Sequence, residues 1–228
     1  MSKIIFVVTS NNRLGNTGRS TGLWLEELAS PYFVFRSAGL TIDIASPSGG
    51  AAPIDELSLS SPWLSEEGNR FINDRAVTAQ LQNTLRLDDV DANAYDSVFF
   101  VGGLGAAWDF FPSEAARSVT ETIFNNSGIV SGVCHGVLGL TNARAAGREN
   151  LLKGAAVTAV SNEEERMLGV AEIVPVLPED LLKSLGSKYS CAAPLDRHVV
   201  VDGRIMTGQN PASAAPLARA VLVGLGCS

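Results

Sequence analysis

The chain has 228 residues, of which 46% are hydrophobic and 18% are charged, and its formal net charge is −7. This length and composition suit one globular domain with a full core, so we expect a single domain spanning residues 1–228. The acidic balance, without a basic stripe, argues against a nucleic-acid partner. The first apolar run, Ile4–Val8, is too short for a signal-peptide core, and no run reaches the ~18 apolar residues of a membrane span.

The cysteine and histidine content narrows the chemistry further. Cys134, Cys191 and Cys227 form no C-x-x-C pair and leave one cysteine over from any disulfide. This usage is typical of free thiols in a reducing cytoplasm, which is the location we expect. Since His135 and His198 are the only histidines, a histidine-rich metal site is not expected.

Short, β-branched apolar runs alternate with helical patterns along the whole chain. Strands are predicted at Ile4–Thr9, Thr41–Ala45, Ser97–Val101, Ile129–Val133, Ala155–Val160 and His198–Val201. Helices are predicted at Gly22–Ala38, Glu66–Arg86, Ser113–Asn125, Gly136–Ala145, Pro178–Leu185 and Ala212–Leu225. This alternation predicts an α/β sandwich, a mostly parallel sheet with helices on both faces. The Gly- and Pro-rich segment Ser46–Ser65 is predicted to be a long loop that helps to shape the site.

The first predicted helix places a carboxyl group beside its apolar face. The apolar stripe consists of Trp24, Leu28, Pro31 and Phe35. Glu27 falls about 60° from the centre of this stripe, whereas Glu26 points to the far side and is expected to be an ordinary surface charge. A half-buried Glu27 would have a raised pKa, as a general acid/base needs near neutral pH. The helical pattern is equally consistent with a Glu27 side chain that reaches solvent at the helix edge.

A glycine-rich loop follows the predicted strand Ser97–Val101 and reads Gly102-Gly103-Leu104-Gly105. Such a loop can turn backbone N–H groups toward an oxyanion, and we expect Gly103 and Leu104, with the N–H of His135, to bind substrate in this way. The loop lacks both the G-x-G-x-x-G pattern and the Lys-Ser/Thr of a P-loop. The sequence therefore supports neither a dinucleotide site nor a nucleotide site.

A second glycine-flanked turn carries a thiol. Gly132-Val133-Cys134-His135-Gly136 follows the apolar pair Ile129-Val130 and precedes a helical pattern. This strand–turn–helix order is typical of a nucleophile elbow, in which flanking glycines permit a strained turn that exposes one side chain. A position before a helix N-terminus also favours the thiolate. We therefore interpret Cys134 as a nucleophile rather than a small core residue.

Three acids after the predicted strand ending at Val160 are candidates for the partner of His135. Glu163, Glu164 and Glu165 follow Ser161-Asn162, and both Ser161 with Glu164 and Asn162 with Glu165 have capping-box spacing. These acids could therefore simply cap a short helix. In the functional interpretation, one of them orients His135 and completes a Cys-His-acid set. The spacing alone does not choose among the three.

The remaining candidates receive structural interpretations. His198 begins a predicted strand and has no acid at dyad spacing, so it is expected to be structural, as are Cys191 and Cys227. The tryptophans, Trp24, Trp63 and Trp108, are expected in the core or at an interface rather than in a substrate site. The loop Thr207–Ser213 opens the last helix and is a candidate lining segment.

Five motifs together resemble one known superfamily. They are Thr21-Gly22-Leu23-Trp24-Leu25-Glu26-Glu27 with Pro31, Ala45-Ser46-Pro47-Ser48-Gly49-Gly50, Gly102-Gly103 with Trp108-Asp109, Val133-Cys134-His135-Gly136, and Thr207-Gly208-Gln209-Asn210-Pro211-Ala212-Ser213. Over nearly its whole length the chain resembles the ThiJ/PfpI superfamily, the class I glutamine amidotransferase-like proteins, and within it the glyoxalase III and heat-shock chaperone branch.

The resemblance implies a flavodoxin-like three-layer sandwich and a homodimer that needs no metal or organic cofactor. It places the nucleophile on Cys134, its neighbouring histidine on His135 and the first-helix acid on Glu27. The third acid aligns with Glu165, with Glu164 as the second choice. Two departures are Leu104, where the branch usually has a histidine, and Val137-Leu138, where it usually has proline and small residues. Both make the mouth of the site more apolar.

The activity implied is conversion of methylglyoxal to D-lactate without glutathione, with Cys134 forming a hemithioacetal and Glu27 acting as general acid/base. The alternatives are a stress-response holdase chaperone, a redox-sensing protein, and a cysteine hydrolase, hydratase or deglycase that acts on another small electrophile. Glutaminase activity is disfavoured because His198 is followed by valines rather than by the x-Glu of class I amidotransferases.

Overall fold

A seven-stranded sheet organises the chain. The computed structural model describes residues 2–145, 147 and 149–227. In the sheet formed by these residues the strand order is β3-β2-β1-β4-β5-β9-β8, and every pairing is parallel except that of β8 with β9. Its strands are β1 (Lys3–Val7), β2 (Thr41–Ser46), β3 (Leu85–Arg86), β4 (Ser97–Phe100), β5 (Ile129–Val133), β8 (Val199–Asp202) and β9 (Ile205–Gly208). Two further short strands, β6 (Ala156–Val157) and β7 (Lys188–Tyr189), pair separately.

Helices cover both faces of the sheet, which confirms the predicted α/β sandwich. Those in the described part of the chain are α1 (Leu25–Ser37), α2 (Glu66–Asn73), α3 (Arg75–Gln82), α4 (Ala106–Asp109), α5 (Glu114–Asn125), α6 (Asn162–Met167), α7 (Pro178–Ser184) and α8 (Ala214–Gly224). Alternate residues of β1 enter two cores, because successive strand side chains point to opposite faces. Ile4 and Phe6 pack with α1 and α8, whereas Ile5 and Val7 pack with α4 and α5.

The parallel strands bring several loops to one edge of the sheet. The carboxyl ends of β1, β4, β5 and β9 lie side by side, with Phe100 opposite Gly132 and Val133 opposite Gly208. The glycine loop follows β4, the Cys134 turn follows β5 and Gln209-Asn210 follows β9. In open α/β sheets this edge collects the ligand-binding groups.

The structure corrects several predicted elements. The single helix predicted over Glu66–Arg86 is interrupted at Asp74, whose side chain accepts hydrogen bonds from the first N–H groups of α3, and the last two residues form β3. The helix predicted over Gly136–Ala145 is a 3₁₀ helix at Cys134–Leu140. Strand β9, which lies between β5 and β8, was not predicted, because Ile-Met-Thr-Gly is short and lies between turn signals. The single domain at 1–228 stays a prediction, and its terminal residues lie outside the described ones.

Membrane insertion receives no support from the helices. Among residues 2–145, 147 and 149–227, we find no helix whose length and apolar character would carry it across a bilayer.

A half-buried acid joins the end of β1 to α4. The hydroxyl of Thr9 donates to both carboxyl oxygens of Asp109 at 2.9 Å, and the Ser10 N–H donates to Oδ2 at 2.7 Å. Burial raises the pKa of Asp109 from its ordinary 3.8 to about 6, although these hydrogen bonds act in the opposite direction. The folded state therefore holds this proton more tightly than the unfolded state does. Its contribution to stability is complete below about pH 4 and is lost as the pH rises through about 6.

The variant Asp109→Asn should remove this pH dependence, since the amide does not titrate. Relative to the wild type, its free energy of unfolding should rise by about 2–3 kcal/mol between pH 4 and pH 8. Urea denaturation at several pH values measures the difference. Asp88, which is exposed and forms an ion pair with Arg86, provides the control. The free energy of unfolding of Asp88→Asn should depend on pH as that of the wild type does. Parallel pH profiles for Asp109→Asn and wild type would contradict the assignment.

Candidate active site

Cys134 lies on a strained turn directly after β5. Its φ is +56°, in the left-handed region that residues with a Cβ rarely adopt. The turn is possible because Gly136 follows, where a Cβ would collide with the backbone of Phe100. The Cys134 side chain is 8% exposed and lines a cavity. The fold thus holds the sulfur at the carboxyl edge of the sheet, facing an enclosed space.

His135 joins the sulfur to a buried acid. Its Nε2 lies 2.7 Å from Oε1 of Glu165, and its Nδ1 lies 3.5 Å from the Cys134 Sγ. An ionised carboxylate can only accept, so Nε2 carries the hydrogen and Nδ1 has its lone pair toward the thiol. All three side chains are buried. The arrangement is that of a nucleophile, a base and an acid that fixes the base's tautomer.

The three candidate acids occupy different environments. Glu165 contacts His135, and its second oxygen has no hydrogen-bond partner among the described residues. Glu164 forms the capping box with Ser161 at the start of α6. Glu163 is exposed. The structure therefore brings Glu165 to the histidine, in line with the alignment on the family motif.

Glu164 is a structural hub beside the site. Its two oxygens accept five hydrogen bonds, from the N–H and hydroxyl of Ser161, the Leu195 N–H, and the side-chain amides of Gln209 and Asn210. These donors belong to three separate segments of the chain. Charge-assisted hydrogen bonds of this kind are stronger than neutral ones, so Glu164 ties the segments together. Neither Gln209 nor Leu195 was singled out as a partner from the sequence, because both bonds join residues that are far apart in the chain.

Glu27 is fully buried and faces the thiol. Its relative exposure is 0%, which settles the choice left open by the helical pattern in favour of the inward orientation. Its carboxyl and the Cys134 side chain both crowd against Gly102, where a Cβ would collide with each of them. Neither carboxyl oxygen makes a hydrogen bond of normal geometry within the described residues. Burial raises the pKa of Glu27 well above its ordinary value, which favours the protonated form of this carboxyl.

The neighbouring Glu26 differs from its prediction. It was expected to be an ordinary surface charge, but its side chain is partly buried and accepts hydrogen bonds from Ser30 and Ser65. Burial, the larger effect, raises the pKa of Glu26, and these bonds act in the opposite direction. Ser65 is the N-cap of α2, so Glu26 links α1 to the start of that helix.

The protonation of the thiol also differs from the expectation. Burial raises the pKa of Cys134, and Glu27, Glu164 and Glu165 raise it further wherever they carry charge. The His135 N–H acts in the opposite direction but is the smaller effect. The prediction that a helix N-terminus lowers the pKa of the Cys134 thiol is therefore wrong, because burial has the larger effect. A thiolate here requires a nearby proton acceptor, and His135 Nδ1 is in that position.

The glycine loop supplies free donors at the same place. Gly103 has φ +110°, and a Cβ on it would collide with the backbone of Gly22 and Trp24. The backbone N–H groups of Gly103 and Leu104 have no hydrogen-bond partner in the described part of the chain. Both residues line the cavity with Cys134. These N–H groups are available to an oxyanion, as the loop sequence predicted.

The cavity at Cys134 has a volume of about 90 Å³. Its mouth includes Trp24 and Trp63, whose rings meet edge to face with centroids 5.6 Å apart. Both tryptophans were expected in the core or at an interface rather than in a substrate site, but they are only partly buried and they line this cavity. Two larger clefts, of about 460 and 770 Å³, are lined by described residues that include no cysteine or histidine.

Of the other candidates, His198 and two cysteines lie away from this cavity, whereas one loop contributes to its wall. His198 Nε2 lies 2.9 Å from the Ser190 hydroxyl, in keeping with its predicted structural role. Cys191 is exposed and Cys227 is half-buried, and neither lines the cavity. The loop Thr207–Ser213 contributes Asn210 and Pro211 to the wall.

The variant Glu27→Gln should be more stable than the wild type. The amide removes a buried acid whose raised pKa makes the folded state lose stability as the pH rises above the ordinary range of a glutamate. We expect a gain of about 1 kcal/mol, larger at pH 8 than at pH 5, in the free energy of unfolding. Chemical denaturation at both pH values measures this gain. The exposed Glu163→Gln is the control and should change stability by less than about 0.5 kcal/mol; a loss of stability in Glu27→Gln at pH 8 would contradict the assignment.

Comparison with known proteins identifies a matching family profile and full-length relatives. The profile of the DJ-1/PfpI family matches residues 21–223. Glyoxalase 3 of Candida albicans is 30% identical over the full length of both chains, and glutathione-independent glyoxalase HSP31 of Saccharomyces cerevisiae is 31% identical over 93% of each.

Solved structures give the same relationship. The Rapid Encystment Protein 24 KDa of Francisella tularensis superposes with a TM-score of 0.94 at 35% identity, covering 99% of both chains. Glyoxalase III from Candida albicans superposes with a TM-score of 0.91 at 30% identity, covering 98% of this chain and 97% of the other. Taken with the fold and the thiol-bearing turn, these matches show that the chain belongs to the DJ-1/PfpI family.

Proposed function

We propose that this protein is a glutathione-independent glyoxalase that converts methylglyoxal and water to D-lactate. The observation that carries the proposal is that the Cys134 side chain and the carboxyl of Glu27 lie against the same residue, Gly102, and line one cavity. The Glu27 carboxyl is buried and has no hydrogen-bond partner of normal geometry among the described residues. Full-length relatives named as glyoxalases support it. The reaction moves hydrogen between adjacent carbons of one molecule, so it needs no external reductant.

The first step is attack of the thiol on the aldehyde carbon. The Cys134 proton passes to Nδ1 of His135, and the new S–C bond forms as the C=O π bond opens. Glu27 gives its proton to the resulting oxyanion, which the N–H groups of Gly103 and Leu104 stabilise. The product is a neutral hemithioacetal, with an imidazolium at His135 and a carboxylate at Glu27.

The second step moves hydrogen from C1 to C2. The Glu27 carboxylate removes the C1 proton while the His135 imidazolium protonates the ketone oxygen, giving an enediol. Glu27 then delivers its proton to C2, and His135 takes the proton from the C1 hydroxyl. The result is a lactoyl thioester on Cys134. Burial of Glu27 suits this exchange, because a carboxyl with a raised pKa both holds and releases a proton near neutral pH.

The third step is hydrolysis. Water adds to the thioester carbon and gives one proton to Glu27, and the departing sulfur takes the proton from the His135 imidazolium. Lactic acid leaves and ionises in solvent, so the thiol, the neutral histidine and the protonated Glu27 are all restored.

We further propose that the protein acts on small carbonyl compounds in the cytoplasm as a homodimer.

Purified protein incubated with methylglyoxal, without glutathione, should form D-lactate. Cys134→Ala should lower turnover by more than about a thousandfold, because no covalent intermediate forms. Glu27→Gln should lower it by about a hundredfold or more, as loss of a general acid/base predicts. In D₂O the lactate should carry solvent deuterium at C2 in proportion to the exchange of the Glu27 carboxyl with solvent before it delivers its proton. The exposed Cys191→Ala is the matched control and should retain wild-type rates.

Two results would overturn this function. Lactate formation that survives Cys134→Ala excludes the covalent route, and wild-type turnover in Glu27→Gln excludes Glu27 as the group that moves the proton between the two carbons. If no methylglyoxal is consumed, the holdase chaperone alternative predicts that Cys134→Ala suppresses aggregation of an unfolding client protein as well as the wild type does.

The two buried acids of α6 should respond differently to the same substitution. Glu165→Gln replaces the carboxylate with an amide that can donate to Nε2 as well as accept from it, so the His135 tautomer is no longer fixed; kcat should fall by about a hundredfold and the pH profile of kcat should shift. Glu164→Gln removes charge from the hub of five hydrogen bonds, so its free energy of unfolding should fall by about 2 kcal/mol. Kinetics and urea denaturation of both variants test this division. A larger stability loss in Glu165→Gln than in Glu164→Gln would reverse the assigned roles.

A further inference from the structure

The polar side chains around the Cys134 cavity are mostly satisfied by the protein itself. Asp55 accepts hydrogen bonds from the Thr21 hydroxyl at 2.8 Å and the Leu57 N–H at 3.0 Å. Asn210 donates to Glu164 and to a backbone carbonyl, and its oxygen accepts from a serine hydroxyl. Glu164 is similarly occupied by five donors. These groups have little capacity left to recognise a polar substituent on a substrate.

The mouth of the cavity is apolar and unusually exposed. Leu57, Leu168 and Leu195 line it and are 47%, 40% and 43% exposed. They are three of the eight large hydrophobic side chains that the described residues expose most. Leu104 and the Trp24–Trp63 pair extend the same surface down toward the sulfur. Such a concentration of exposed apolar side chains around one opening favours an apolar ligand over water.

We infer that the preferred substrates are 2-oxoaldehydes with a branched apolar substituent of about four carbons. This inference rests on the proposed function and specifies its substrate class. Cys134, Glu27 and His135 act on the two carbonyl carbons, and the substituent lies outward against Leu104 and the mouth leucines. The methyl group of methylglyoxal leaves this surface uncovered, whereas a branched chain displaces water from it. The chemistry is unchanged: R–CO–CHO and water give R–CH(OH)–COO⁻ and a proton.

The charges at the mouth do not favour an anionic substituent. Arg19 lines the cavity, and its guanidinium forms no ion pair with a described residue. It is exposed, however, and an exposed ion pair contributes little in water. Two carboxyl groups, those of Asp55 and Glu164, line the same cavity and oppose an anion. Apolar contact is therefore the larger source of discrimination.

Three probes of related structure test this preference. They are methylglyoxal, 4-methyl-2-oxopentanal, which has a branched apolar chain, and 4,5-dioxopentanoate, which has a carboxylate on a chain of similar length. We expect kcat/KM for 4-methyl-2-oxopentanal to exceed that for methylglyoxal by about tenfold, the effect of burying about one methylene in an apolar pocket, because the substituent lies against leucines that stay partly exposed. The carboxylated probe should be the poorest substrate.

Variants at the mouth should change the ratio of the two uncharged substrates. Leu168→Asn and Leu104→Asn should each lower the ratio of kcat/KM, 4-methyl-2-oxopentanal over methylglyoxal, by about fivefold to tenfold. Met167 provides a matched control because it is the neighbour of Leu168, is 53% exposed and does not line the cavity. Met167→Gln should leave the ratio at the wild-type value.

The outcomes separate this inference from the proposed function. Turnover of methylglyoxal with equal or lower kcat/KM for the branched probe overturns the substrate preference and leaves the glyoxalase function standing. A preference for 4,5-dioxopentanoate that is lost in Arg19→Gln overturns the preference for an apolar substituent and indicates recognition of the substrate by charge. Failure to consume any of the three probes overturns the proposed function and this inference together.

Discussion

The close approach of one carboxyl to one thiol is the constraint on which the site depends. Glu27 comes from the first turn of α1 and Cys134 from the turn after β5, and Gly102 between them has no room for a Cβ. A buried carboxyl without hydrogen-bond partners is costly unless it is protonated. The same burial that disfavours ionisation of Glu27 makes it able to carry a proton between carbon atoms. Stability and chemistry are therefore opposed at this residue.

The surrounding structure holds this unfavourable arrangement in place. Glu164 connects α6, the segment around Leu195 and the loop after β9 through charge-assisted hydrogen bonds. Glu26 links α1 to α2 in a similar way. In both places two adjacent glutamates therefore make different contacts. Glu26 and Glu164 connect separate segments of the chain, whereas Glu27 lies near Cys134 and Glu165 contacts His135. The strained Cys134 turn persists because well-bonded elements surround it.

Much of the fold and part of the site followed from local pattern. The alternation of apolar runs with helical periodicity predicted the α/β sandwich, and the glycines around Cys134 predicted a turn that presents the thiol. Helical geometry placed Glu27 beside the apolar face but could not decide whether it turned inward. The interrupted helix at Asp74 and the unpredicted β9 show the limits of such patterns, because a short capped break and a four-residue strand have weak local signals.

The sequence by itself determined which chemical groups are present and which strands and helices carry them, because periodicity and turn chemistry act over a few residues. Only the tertiary structure decided which groups meet. Contacts between residues distant in the chain select Glu165 for His135, give Glu164 its five donors and place Trp63 against Trp24. The pKa of Cys134 belongs to the same class: a helix terminus predicts a lower value, but burial among carboxyl groups raises it, because desolvation acts on the assembled site.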